Sequence, residues 1–207
     1  MSSSSYVAGR PPSTATRRDE IIDVAAHQFA LLGFHGVSMR DIAKAHNSSV
    51  AALYNHFDGK DDLLLAVGRR FFSVFIRHLE ESAETPGDGL TRLINMLDAC
   101  YMDGSTYRNE FISISRDNRH IAMTPALAPL VAARNACTAI WDRVLHEGMQ
   151  DGSIRPGLDT AGVIWIVFCA MTGMLDDNRA AEFAGTVTED PLRCLTQLLT
   201  DGLRPRP

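Results

Sequence analysis

Two helical patterns too short to stand alone lie back to back in SMRDIAKAHNSSVAALYNHF, from Ser38 to Phe57, and they constrain the fold more than any other stretch. Isolated helices below about twelve residues are marginal in water, so neighbours must hold both. Ser38, with Asp41 three residues on, reads as an acidic version of a capping box that opens the first helix. Ile42, Ala43 and Ala45 give that helix a small apolar face. HNSS breaks it, and Asn47 is the residue best able to take a left-handed turn without glycine. Ser49 caps the second helix, which is predicted to end near Phe57. Helix, tight polar break, short helix is the helix-turn-helix order, in which the second member enters a DNA major groove. Earlier helices then pack its inner face, at Leu53 with Ala52 beside it, and DNA covers the outer one. Two short helices also occur side by side in plain bundles, so the pattern by itself leaves both readings open.

Helical periodicity runs through nearly everything after residue 15, and the fold class expected is all-α. Thr16 caps a first helix whose apolar stripe is Ile22, Ala25, Ala26, Phe29 and Leu32, with Asp19 and Glu20 complementing its positive end. Gly33 and Gly36 bracket the turn GFHG. Gly59 opens a fourth helix, to about Glu84 and on the order of 35 Å long at 1.5 Å per residue. Pro86-Gly87 marks a boundary. Further helices are expected around Leu90 to Met102, Tyr107 to Arg116, Ala126 to Gln150, Thr160 to Arg179 and Pro191 to Gly202, with Asp151 to Asp159 as a loop. Three units are expected: a disordered arm over 1–14, a helix-turn-helix unit over 15–75 and a second helical domain over 76–207.

Composition narrows the function. The chain is 45% apolar and 22% charged, as in an ordinary globular protein. The run Ala161 to Leu175 is too short and too rich in glycine for a membrane span, and the polar start lacks a signal core, so a cytoplasmic protein is expected. The net charge of −5 divides unevenly. Residues 1–60 carry six Lys/Arg against five Asp/Glu, and residues 61–207 carry fourteen against twenty, so a small basic footprint remains on the N-terminal unit. Cys100, Cys137, Cys169 and Cys194 sit far apart in apolar helical patterns and read as buried free thiols, with no metal or disulfide framework. The chain shows no Gly-rich phosphate loop, metal-ligand run or paired nucleophile and base, so no enzyme and no cofactor is expected.

From Thr16 to Val67 the sequence resembles the N-terminal domain of the tetracycline-repressor (TetR) family of bacterial transcriptional regulators. The resemblance is carried by AAHQFALLGFHGVSMRDIA, where Phe29, Gly33, Ser38, Ile42 and Ala43 fall on the family pattern, and by ALYNHFDGKDDLL, which follows its Leu-Tyr-x-His-Phe-x-x-Lys-x-x-Leu signature. Two positions depart from it. Asn47 and Ser48 replace the usual glycine and valine of the turn, and Val50 stands where a basic residue is frequent, which argues against a bidentate guanine contact there. Chemistry and resemblance together assign DNA roles. Ser38 and the amides behind it suit a phosphate, and Arg40 reaches phosphate or a base edge. Val50, Ala51 and Ala52 allow close groove approach, their methyl groups matching thymine, and Ser49, which opens this helix, is a further DNA-binding candidate. Tyr54 and His56 look like phosphate contacts, Asn55 touches backbone or base, and Lys60 is the expected phosphate anchor. Arg17, Arg18, His27, His78 and His146 read as ordinary surface positions.

The resemblance also implies a symmetric dimer reading a palindrome, with the last two helices forming a bundle across subunits. Ile164, Phe168, Met171, Leu195, Leu198 and Leu199 are the expected seam, the alternative being burial within one subunit. Middle helices would enclose a pocket walled by Leu97, Tyr101, Phe111, Met123, Leu127, Val131, Trp165 and Phe168. Ile140 and Val144 are further wall candidates. Arg134, with Arg116 and Arg119, is a candidate for holding an acidic group. The implied partners are double-stranded operator DNA, a second copy of the chain and a small apolar or amphipathic effector, acyl-like with an acidic head. Release is implied to pass through the fourth helix at Leu64, Val67 and Phe71. A scaffold or activator without a ligand is the competing DNA-binding reading.

Overall fold

A hydroxyl side chain starts each of the first three helices. In the computed structural model, which describes residues 16–176 and 190–205, Thr16 caps α1 (Arg17–Leu32), Ser38 caps α2 (Met39–Ala45) and Ser49 caps α3 (Val50–Tyr54). The first two are full capping boxes, closed by Asp19 and Asp41. Asn47 takes the left-handed conformation at φ 53°, which ends α2 and reverses the chain toward α3. The chain continues through α4 (Lys60–Ala83), α5 (Gly89–Thr106), α6 (Arg108–Arg116), α7 (Asn118–Met123), a 3-10 turn (Pro125–Leu127), α8 (Ala128–Asp151), α9 (Thr160–Leu175) and α10 (Pro191–Leu203). No strand occurs among the described residues, and none of their helices is long and apolar enough to cross a membrane. The arm expected over 1–14 and the extension of the ninth helix to Arg179 lie outside the described residues.

α4 organises the rest. Its 24 residues place Leu63, Leu64, Val67, Phe71, Phe75 and Leu79 on one buried face. That face spans the α1–α3 unit at one end and α5, α6 and α8 at the other, so one continuous apolar core joins the helix-turn-helix part to the remainder. Trp141 of α8 is wholly buried in it, and truncating such a residue costs roughly 3–5 kcal/mol. Leu64, Val67 and Phe71 are all buried in this core.

Where α5 crosses α8 the backbones touch. A Cβ built on Gly89 would stand 2.3 Å from the Gly148 Cα, so this crossing requires glycine at Gly89, while a Cβ on Gly148 would press on the Ile154 side chain at 2.5 Å. α5 is capped there twice: Asp88 accepts from the Thr91 N–H, and Asp151 accepts from the Gly89 N–H, each at 2.8 Å.

Two expectations about lone side chains are corrected. Cys100 and Cys137 are buried, and burial pushes the Cys137 thiol up to about 12, whereas Cys169 and Cys194 are exposed on α9 and α10. His78 is not incidental: its Nδ1 lies 2.8 Å from Asp103 Oδ1, joining α4 to α5. Burial raises the Asp103 carboxyl, and the His78 hydrogen bond opposes that shift.

Candidate nucleic-acid interface

α3 is only five residues long, with Leu53 fully buried beneath it. Its outer side is open: Ala51, Asn55 and His56 are exposed, and Tyr54 is 54% exposed. Val50 and Ala52 sit half-buried at its margins, and Ser49 keeps its side chain on the Ala52 N–H. Phe57 closes the segment from below, with the Arg18 guanidinium 4.7 Å from its ring centroid. Thus α2, with Arg18 of α1 beside Phe57, supports a short helix whose outward face carries small, aromatic and imidazole groups.

Beside α3 runs a groove of ≈ 810 Å³ whose walls include His35, Ser38, Arg40, Asp41, Tyr54 and Lys60. Three of these residues, Ser38, Asp41 and Lys60, are engaged within the chain. The Ser38 N–H and hydroxyl both donate to Asp41 Oδ2, and Ser38 Oγ accepts from the Asp41 N–H at 3.2 Å. These bonds from Ser38 hold the Asp41 carboxyl below its usual range. The free phosphate donor expected at Ser38 is therefore occupied by its own capping box. Lys60 differs from expectation more strongly. Its ammonium donates to the carbonyls of Phe34 and Val37, both at 2.7 Å, and sits 4.1 Å from the centre of the Phe34 ring. Burial lowers its pKa. Two of its three donors thus hold the turn before α2, and Arg40 is the exposed cation of the groove.

The second part of the molecule meets this unit through polar contacts. The Phe34 N–H donates to Asp117 Oδ2 at 2.9 Å, and His120 Nε2 lies 2.7 Å from Asp61 Oδ1. The His120 ring stacks on Phe34 at 4.2 Å. Ser113 Oγ donates to the Ala26 carbonyl at 3.0 Å. Arg116, expected to hold an acidic ligand, instead donates to the Ala30 carbonyl, and Arg134 donates to Asn118 Oδ1 at 2.9 Å.

The expected pocket wall and dimer seam are rearranged. Leu97, Phe111 and Leu127 are core residues, with Tyr101, Val131, Ile140 and Phe168 partly buried against them, and Val144 is fully buried. Met123 ends the six-residue α7 at 76% exposure, and Trp165 faces outward at 69%, so neither lines an interior wall. Cavities of ≈ 520 Å³, near Leu90, Ile94, Thr196 and Arg204, and ≈ 200 Å³, near Asp23 and Glu110, contain none of the expected wall residues. On α9, Ile164 and Met171 point into their own core at 4% and 2% exposure, which removes them from an open seam. Trp165 and Ile166, the next residues round the helix, are the exposed ones, together with Leu198 of α10 at 72%. Leu195 and Leu199 are half-buried against the core. The reason is one of phase: α9 is apolar all round, so its sequence does not say which side the core takes.

Residues 21–67, the α1–α4 unit just described, match the family model for bacterial regulatory proteins of the tetR family. The HTH-type transcriptional repressor KstR2 of Mycolicibacterium smegmatis is 28% identical over 150 residues, covering 72% of this chain and 73% of its own. The solved structure of the ketosteroid transcriptional regulator KstR2 of Mycobacterium tuberculosis superposes with a TM-score of 0.78 at 19% identity, covering 94% of this chain and 98% of that one. The structure of AibR in complex with isovaleryl coenzyme A and operator DNA superposes with a TM-score of 0.74 at 19% identity, over 92% of this chain and 99% of that one. Among the described residues, no group of three or more His, Cys, Asp or Glu could hold a metal ion. Residues 21–67 thus match the helix-turn-helix unit of the tetR family of bacterial regulatory proteins, and the all-helical body that carries it shares its fold with KstR2 and AibR.

Proposed function

We propose that this protein is a dimeric transcriptional repressor that binds a palindromic operator and is released by a small acyl-like effector. The observation that carries the reading is the open outer face of α3, with Tyr54, Asn55 and His56 exposed beside the groove that Arg40 lines. Val50, Ala51 and Ala52 meet base edges, and Arg40, Tyr54 and His56 meet phosphates. Residues 15–75 form the DNA-binding domain, and 76–207 the effector and dimer domain. One copy of so small a reader makes few base contacts, so a second copy is needed for specific affinity. The apolar surface of Trp165, Ile166 and Leu198 suits that role. An acyl thioester is the effector class, by analogy with AibR, whose solved complex contains isovaleryl coenzyme A. Such a ligand enters between α5, α6 and α8, whose facing side chains form part of the core. In this reading the protein works in the cytoplasm and catalyses no reaction.

Selection of bound duplexes from random DNA tests the proposal. The expected result is a palindrome with half-sites about one helical turn or more apart, bound with an affinity that falls steeply with salt. Acyl-coenzyme A thioesters of graded chain length are then added, and DNA release and thermal stability are followed. Failure to enrich any sequence overturns the regulator reading. Enrichment with no release by any thioester leaves a DNA binder and removes the acyl effector.

A further inference from the structure

Within the groove beside α3, one exposed imidazole has no place in the residue roles given above. His35 lies in the turn between α1 and α2 and shares the groove with Arg40, Tyr54 and Lys60. Its ring meets Phe34 edge-on at 5.4 Å and 86°, and His120 at 5.1 Å and 83°. Two rings therefore hold it in one orientation, while among the described residues no hydrogen bond or ion pair engages its nitrogens. Lys60, the cation expected to serve DNA here, has two donors turned onto the Phe34 and Val37 carbonyls. The groove is thus left with one exposed permanent cation, Arg40, and one exposed group that becomes a cation on protonation, His35.

We propose that His35 is a phosphate-binding residue of the DNA interface, and that its protonation makes DNA binding stronger at acid pH. The inference rests on the proposed DNA-binding function and adds a contact and a pH response to it. Histidine changes charge between about pH 5 and 8, and a phosphate beside the ring favours the charged form. The other charged and titratable groups around the ring are Arg40, Asp41, Tyr54, Lys60, Asp61, Asp117 and His120. Asp41 is held by Ser38, Asp61 by His120 and Asp117 by the Phe34 N–H, so each nearby carboxylate already has a partner in the chain. DNA phosphate is the anion left for His35.

The experiment measures binding of the full chain to a selected operator duplex, and to an unrelated duplex of equal length, at pH 6 and pH 8 across a salt series. Wild type is expected to lose roughly threefold to fivefold more affinity than His35→Ala between pH 6 and pH 8, the scale of one surface ion contact. At pH 6 the salt slope of His35→Ala falls by about one. His35→Lys restores binding at both pH values and removes the His35 share of the difference between them. His120→Gln separates the histidine that packs on the His35 ring and retains the pH response, whereas His56→Ala removes only the share that the His56 phosphate contact supplies and leaves the difference between His35→Ala and its parent in place. Circular dichroism establishes that each variant is folded. Equal pH profiles for wild type and His35→Ala, or His35→Lys binding no tighter than His35→Ala at pH 8, overturn the proposal. A wild-type chain that binds neither duplex at either pH instead removes the DNA-binding reading beneath it.

Discussion

Arg70, midway along α4, forms an ion pair with the buried Glu110 of α6 and also lies 2.7 Å from Asp23 of α1. The approach to Asp23 is a charge contact rather than an aligned hydrogen bond, since Arg70 Nη1 has no partner in bonding geometry. One guanidinium therefore links the helix-turn-helix unit, α4 and α6. In a coupled regulator, movement of α6 would disturb both carboxylates.

Removing the guanidinium leaves Glu110 buried without its counter-charge. Arg70→Ala is expected to lower unfolding free energy by about 3 kcal/mol. Arg70→Ala with Glu110→Gln recovers part of that loss because the stranded charge is gone. Urea unfolding of the single and double variants measures the difference.

Gly148→Ala tests the α5–α8 crossing. An added Cβ meets the Ile154 side chain at 2.5 Å and the Gly89 Cα at 3.3 Å. Overpacking of this kind costs typically about 1–3 kcal/mol. Chemical denaturation should register it, whereas Gly173→Ala, with open space at its Cβ, should not lose stability to a clash.

Asp151 accepts the N–H of Gly89 and that of Ser153, and hydrogen bonding from Ser153 is the main reason its carboxyl lies below the usual range. A carboxyl depressed by folding contributes stability that is fully present above its unfolded pKa and lost as pH falls through the folded one. Asp151→Ala should therefore lower Tm at pH 7, and the gap from wild type should close as the pH is taken below the ordinary carboxylate range. A gap that widened on acidification would contradict this role.

Lys60→Met removes two donors from the turn that carries His35. The Phe34 and Val37 carbonyls then lose their partner, which costs roughly 1–3 kcal/mol where water does not replace it. Thermal unfolding should show the loss without DNA present, as a pure phosphate anchor would not.

Trp165→Glu and Leu198→Glu place charges on the exposed α9–α10 surface. Light scattering should show the dimer weakened in both variants while helical content is retained. Ile164→Glu, directed into the chain's own core, should unfold the protein instead.

Expectation and structure agree most closely at Ser38, Asp41, Asn47 and Ser49. Those residues act on backbone groups one turn away, so a twelve-residue window already contains both partners. Lys60 could not be read in the same way. Its carbonyl partners lie 23 and 26 positions earlier, and nothing in GKDDLL marks its ammonium as turned inward. His35 sits plainly in GFHG, but a histidine between glycines carries no periodic signal, and only the groove makes it a site.

By itself the sequence determined the all-helical class, the order and caps of the first helices, and an α3 too short to survive without support. These follow from hydrogen bonds and apolar spacing within a few residues. Only the tertiary structure decided that Ile164 and Met171 turn inward while Trp165 faces out, that Arg70 joins three helices, and that Lys60 braces a turn. An all-apolar helix and a long cationic side chain are each compatible with several environments, and the choice depends on packing by segments distant in the chain.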